Sequence, residues 1–81
     1  MLTMAIENME LGVQPLDAIM TRRGLSNADL VQASAEQLTH KVVGKGRRGR
    51  RLTQNARLKI LRALNAASAP ERFEMRDLFT Y

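Results

Sequence analysis

Leu16, Ile19 and Met20 recur at the three- and four-residue spacing of a helix, and Arg23 continues the face with an aliphatic stem that can lie along it. Pro15 suits the first helical position, where a missing N–H costs nothing. Asp17 lies in the first turn, on the favourable side of the helix dipole. Gly24, after Arg22 and Arg23, is placed for a left-handed C-cap. The pattern predicts a helix over residues 15–23. Ser26 and Asp29 have the spacing of a capping box, with Asp as a shorter Glu, and Leu30, Val31 and Ala33 face inward, so a second helix is expected over 26–33. The third has two candidate starts. One is Ser34 with Gln37; the other is Thr39, with Leu38 before it and Val42 and Val43 after. Gly44 and Gly46 each cost about 1 kcal/mol against Ala inside a helix. This helix is therefore expected to end or loosen there, leaving Gly46 to Arg51 as a mobile basic loop.

Thr53 caps the longest predicted helix, whose stripe is Ala56, Ile60, Ala63, Leu64 and Ala67, flanked by Leu58 and Leu61. Arg57, Lys59 and Arg62 lie off that stripe, and Ser68 to Pro70 ends it. A last short helix is expected over about 74–79. Ahead of all these, Leu2, Met4 and Ile6 alternate, as do Met9, Leu11 and Val13, which is strand spacing. For residues 1–14 an arm, an edge strand and a loose segment all remain open. Residues 15–81 read as one all-α domain of four or five short helices.

Composition narrows this little. With 81 residues, 44% of them apolar, the chain can bury one small core. It has no Cys, which removes disulfides, thiolate metal sites and thiol nucleophiles together and suits a reducing cytoplasm. No basic leader with an apolar stretch opens the chain and no apolar run reaches membrane-spanning length, so neither secretion nor a membrane partner is expected.

Charge changes the picture more. From Gln37 to Pro70 stand nine Lys or Arg and no acid, leaving four bases against all eight acids elsewhere. The net charge is +5. Solvated surfaces usually mix both signs. A block of one sign points to a polyanionic partner, and nucleic acid is the commonest. Within the block, Gly44-Lys45-Gly46-Arg47-Arg48-Gly49 fits G-x-G-x-x-G. That fingerprint needs a strand before it and a βαβ unit around it, which this chain cannot build. The glycines are better read as letting the loop's arginines and backbone N–H groups approach phosphates. Gly44, with no side chain, is expected to let a partner approach the helix closely.

Two helices with a short break, Ser26–Ala33 and then Thr39 to about Lys45, suggest a helix-turn-helix. The segment from Leu16 to Ala66 resembles the DNA-binding domain of the phage repressor and Cro family, the lambda-repressor-like or XRE-type domain. Thr39, Val43, Gly49, Arg50 and Arg51 fall at that family's spacing of cap, aliphatic residue, loop glycine and basic neighbours. Lys59, Ile60, Ala63, Leu64 and Asn65 match the pattern that closes its next helix. The chain departs at Ser34-Ala35-Glu36-Gln37, where the family carries a turn glycine and a connection about two residues shorter. The resemblance implies a transcriptional regulator that binds duplex DNA in a sequence-specific way, commonly as a homodimer on two half-sites.

Carried over by position, the resemblance implies that His40, Lys41 and Lys45 read bases in the major groove. Lys can donate to O6 and N7 of guanine, although Lys45 serves equally as a phosphate contact. Thr39, Arg47, Arg48, Arg50 and Arg51 are the candidate phosphate contacts. Phe73 is expected in the core. Phe79 and Tyr81, freer near the chain end, are the candidate dimer contact. His40 is the single histidine and has no acid nearby in sequence, so no metal site is expected, and no cofactor. No triad or paired carboxylate argues for an enzyme. A structured-RNA-binding protein and an antitoxin-like interaction module are the two alternatives. The basic block supports the first equally well, but it lacks the aromatics on which single-stranded bases stack. The second leaves the basic block unexplained.

Overall fold

The structure, a computed structural model, describes residues 11–81, and those residues form five helices and no strand. They are α1 (Pro15–Arg23), α2 (Asn27–Ala33), α3 (His40–Arg48), α4 (Gln54–Ser68) and α5 (Met75–Leu78). None is long and apolar enough to cross a membrane. Of the segment expected as an arm, strand or loose stretch, residues 1–10 lie outside the described residues. Residues 11–14 run beside the C-terminal end of α3, where Leu11 N donates to Gly49 O at 2.7 Å and Gln14 N to Arg47 O at 3.0 Å.

Local chemistry sets most boundaries. Gly24 takes the left-handed conformation (φ 70°) after α1. Ser26 Oγ accepts from Asp29 N at 3.1 Å, and Ser26 N donates to the Asp29 carboxylate at 2.8 Å. This reciprocal pair opens α2 and holds the Asp29 carboxyl below its ordinary range. Thr39 settles the start of α3: its hydroxyl accepts from Val42 N at 3.1 Å. Leu38 and Val43, the positions flanking such a cap in a hydrophobic staple, are both buried. Thr53 does the same for α4, accepting from Ala56 N at 3.1 Å. Such caps are each worth about 1 kcal/mol.

The core joins all five helices. It contains Leu16, Ile19 and Met20 of α1, Leu30 of α2, Val43 of α3, Ile60, Ala63 and Leu64 of α4, and Leu78 of α5, with Leu38 and Phe79 from the connections. α4 lies along α2 and α3, and α5 folds back between α1 and α4. Asn65 fastens that return. It donates to Phe73 O at 3.1 Å and accepts from Phe73 N at 2.7 Å. Arg23 reaches from α1 to the end of α4, where it pairs with Glu71 and donates to Ser68 O at 3.3 Å.

Two expectations are corrected here. The helix does not end or loosen at Gly44 and Gly46; α3 runs through both to Arg48, and Gly49 caps it at φ 95°. Tertiary packing overrides propensity, because both glycines are buried. A Cβ on Gly46 would stand 3.0 Å from Ile60 Cδ1 and 3.3 Å from Leu52 Cδ1. The aromatics also trade places. Phe79, 3% exposed, belongs to the core, while Phe73 is half-buried at its edge.

Candidate nucleic-acid interface

At 100° per residue, Lys41, Lys45 and Arg48 share an arc of roughly 60° on α3 and span about 10 Å along it. Lys41 and Arg48 are exposed and Lys45 is half-exposed. His40, also exposed, lies roughly 100° round from Lys41. Arg50 and Arg51 follow directly, both exposed. The opposite side of α3 carries Val43 and Gly46 into the core. The helix thus presents a basic stripe outward because its apolar and glycine positions fix the other side.

Ion pairing sorts the cations. Among the described residues, Asp17 takes Arg47 at 2.6 Å, Glu36 takes Arg62 at 2.6 Å, Glu71 takes Arg23 and Glu74 takes Arg76 at 3.1 Å. Lys41, Lys45, Arg48, Arg50 and Arg51 belong to none of these pairs. No acid stands in the first turn of α3, where Lys41 lies against the positive end of the helix dipole. An isolated surface helix does better with the opposite sign there, and a bound anion relieves the mismatch.

The structure moves Arg47 out of the phosphate-contact set. Its guanidinium turns inward to bridge three helices, donating to Asp17 Oδ1 at 2.6 Å, Asn27 Oδ1 at 2.8 Å and Thr21 Oγ1 at 3.4 Å. The helical phase explains this, since Arg47 falls on the side of α3 that faces α1 and α2. Arg48 joins the outward stripe instead of a loop. Thr39 is exposed, and its oxygen serves the cap. Gly44 does not face solvent either. It is buried, and a Cβ there would meet Arg48 Nη1 at 3.3 Å and Asn27 Nδ2 at 3.5 Å. The small residue leaves room for the ends of the Arg48 and Asn27 side chains.

The proposed dimer contact is also corrected. Phe79 is spent on the monomer core. The Tyr81 ring packs edge-on to Phe79 at 5.8 Å, and its hydroxyl accepts from Leu52 N at 3.0 Å and donates to Arg50 O at 3.1 Å. Phe79 is thereby withdrawn from the surface, and Tyr81 is half-buried among contacts of its own chain.

Three residues shape the site in roles the sequence reading did not give them. Glu36, in the long connection between α2 and α3, makes a two-pronged bond to Arg62 of α4, at 2.6 and 2.7 Å. That bond, with lesser help from the Arg62 and Lys59 charges, holds the Glu36 carboxyl below its usual range. Gln14, 2% exposed, accepts from Thr80 N at 2.7 Å and Thr80 Oγ1 at 3.1 Å. Tyr81 is the third. Glu36 could have been suspected as the last acid before the acid-free basic block, whereas Gln14 and Tyr81 carry no local signal for these roles. Among the described residues, no three His, Cys, Asp or Glu side chains gather around a possible ion position. Comparison with protein-family models, with curated proteins and with solved structures returns no match.

Proposed function

We propose that this chain binds duplex DNA in a sequence-specific way, as a cytoplasmic transcriptional regulator with a lambda-repressor-like helix-turn-helix. In this reading α2 and α3 form the motif, and α3 enters the major groove. The observation that carries it is the segregation of charge. Four arginines are neutralised by acids within the fold, while Lys41, Lys45, Arg48, Arg50 and Arg51 stand outside those pairs on one helix face and the segment after it. A helix of this length suits the major groove, which admits an α-helix. Lys41 and Lys45 reach base edges in that geometry, with His40 beside them. Arg48, Arg50 and Arg51 grip phosphates, and the Thr39 hydroxyl hydrogen is placed to donate to another.

The test is a pair of salt titrations, on a duplex selected from a random pool and on random duplex. Three cationic phosphate contacts give a slope of about −3 in log K against log salt for one copy. Lys41→Ala should cost about 1–3 kcal/mol on the selected duplex and much less on random duplex. Arg50→Ala should weaken both alike and reduce the slope by about one. Sedimentation of the complex reads whether one copy or two occupies the site. A flat salt dependence refutes the electrostatic reading, and structured RNA outcompeting duplex DNA reassigns the partner to RNA.

A further inference from the structure

Tyr81 touches three successive residues of the segment that follows α3, Arg50, Arg51 and Leu52. Its hydroxyl donates to Arg50 O at 3.1 Å and accepts from Leu52 N at 3.0 Å, and the Arg51 guanidinium lies 5.8 Å from its ring centroid. Arg57 of α4 also lies 4.7 Å from the centroid of the same ring, and its Nη1 donates to Tyr81 O at 2.7 Å. Thr80, the residue before, is held by Gln14, whose Nε2 donates to Gly12 O at 3.0 Å and whose N donates to Arg47 O at the end of α3. The last residues of the fold, the turn before α1 and the end of α3 therefore share one hydrogen-bonded cluster. Leu52 N has its bond from Tyr81, and Arg50 N reaches back to Lys45 O at 2.9 Å.

We propose that Tyr81 is a positioning residue for the phosphate-gripping segment: it presets Arg50 and Arg51 for the duplex while making no contact with DNA itself. The inference rests on the duplex-binding reading. Physically, a segment that is already ordered loses less freedom on binding, and apparent affinity falls in proportion to the fraction of molecules in the competent arrangement. Arg57, committed to Tyr81, supports the ring and is not itself a phosphate contact.

The experiment compares the intact chain with Tyr81→Phe, which keeps the ring and removes the hydroxyl, below the melting transition of both. The Leu52 amide should exchange with solvent faster. Affinity should fall by about 3- to 10-fold, the equivalent of one or two net hydrogen bonds, equally on selected and random duplex. In an Arg50→Ala, Arg51→Ala background the same substitution should have no further effect on affinity, because the residues it positions are gone. If Tyr81→Phe frees the Leu52 amide and duplex affinity stays at the wild-type value, the positioning role is overturned and the duplex reading stands. If the loss persists in the double-alanine background, Tyr81 acts through the fold at large and the proposal fails. If the intact chain does not bind duplex, the duplex reading fails first, whatever the Leu52 amide does.

Discussion

The three glycines of the basic segment offer a graded test of how α3 is seated. At Gly44 an added methyl meets only side-chain ends, Arg48 Nη1 at 3.3 Å and Asn27 Nδ2 at 3.5 Å, which can yield. Alanine then gains most of its helix preference, about 0.5–1 kcal/mol. At Gly46 the methyl meets Ile60 Cδ1 at 3.0 Å, Leu52 Cδ1 at 3.3 Å and Leu16 Cδ2 at 3.5 Å, of which Ile60 and Leu16 are fully buried. Overpacking of about 1–3 kcal/mol outweighs the same helical gain, for a net loss of about 1 kcal/mol. At Gly49 the backbone is left-handed (φ 95°), and the methyl would stand 1.8 Å from Gly12 O. The chain must give up that conformation, worth about 1–2 kcal/mol, together with the Leu11–Gly49 hydrogen bond, worth about 1 kcal/mol. A loss of about 2–3 kcal/mol or more follows. Each kcal/mol moves the melting temperature of a domain this size by about 4–8 °C. Thermal unfolding followed by circular dichroism should therefore rank Gly44→Ala at or above wild type, Gly46→Ala a few degrees below, and Gly49→Ala at least about 10 °C below. The Gly44→Ala methyl displaces only the ends of the Arg48 and Asn27 side chains and nothing in the core. Gly49→Ala melting with the wild type, or Gly44→Ala melting well below it, would refute the packing described here.

Three further outcomes follow from named contacts. Arg47→Ala should destabilise the fold by about 1–3 kcal/mol, since it strips three helices of a shared charged donor, yet leave the salt slope of duplex binding unchanged; a slope reduced by one returns Arg47 to the phosphate contacts. Glu36 and Asp29 both titrate below the ordinary carboxylate range in the folded chain. Their contribution is fully present above the unfolded-state carboxylate pKa and is lost as pH falls through the depressed folded values. Melting temperature should accordingly drop on acidification through that window, and Glu36→Gln should flatten part of the drop; an unchanged profile in that variant removes the Glu36–Arg62 contact from the account. Phe79→Ala should cost about 3–5 kcal/mol by opening a cavity in the core, read by urea unfolding; near-wild-type stability would contradict its burial.

What was legible in the chain is what local chemistry decides. Pro15 and Gly24, the Ser26–Asp29 box and Thr53 each satisfy or end a backbone within a few residues, and each stands where the pattern puts it, while Thr39 is the one of two candidate starts that the chain uses. The basic character of the Thr39–Arg51 stretch was equally plain. What was not legible depends on partners far along the chain. Gly46 is helical in a site lined by Ile60 and Leu52, and Gly44 in one beside Asn27 and Arg48. Arg47 looks like any loop arginine until α1 brings Asp17 and Thr21 beside it. Phe73 and Phe79 are equivalent by composition, and only the return path of α5, fastened by Asn65, decides which is buried.

The first residues of the connection, Ser34 to Gln37, do not seat α3, whose anchoring begins at buried Leu38 and the Thr39 cap. α3 is seated on α2 through Gly44 against Asn27, and on α1 through Arg47, while the connection's own Glu36 is tied to α4. Turn and seat are thus separable parts. A connection that does not aim the helix after it can change length or sequence without re-aiming that helix, and longer surface loops add closure entropy only slowly. Exposed Ala35 and Gln37 are consequently natural places for insertion in an engineered or diverging chain. Descendants of this fold could carry connections of many lengths beneath an α3 that still presents the same face.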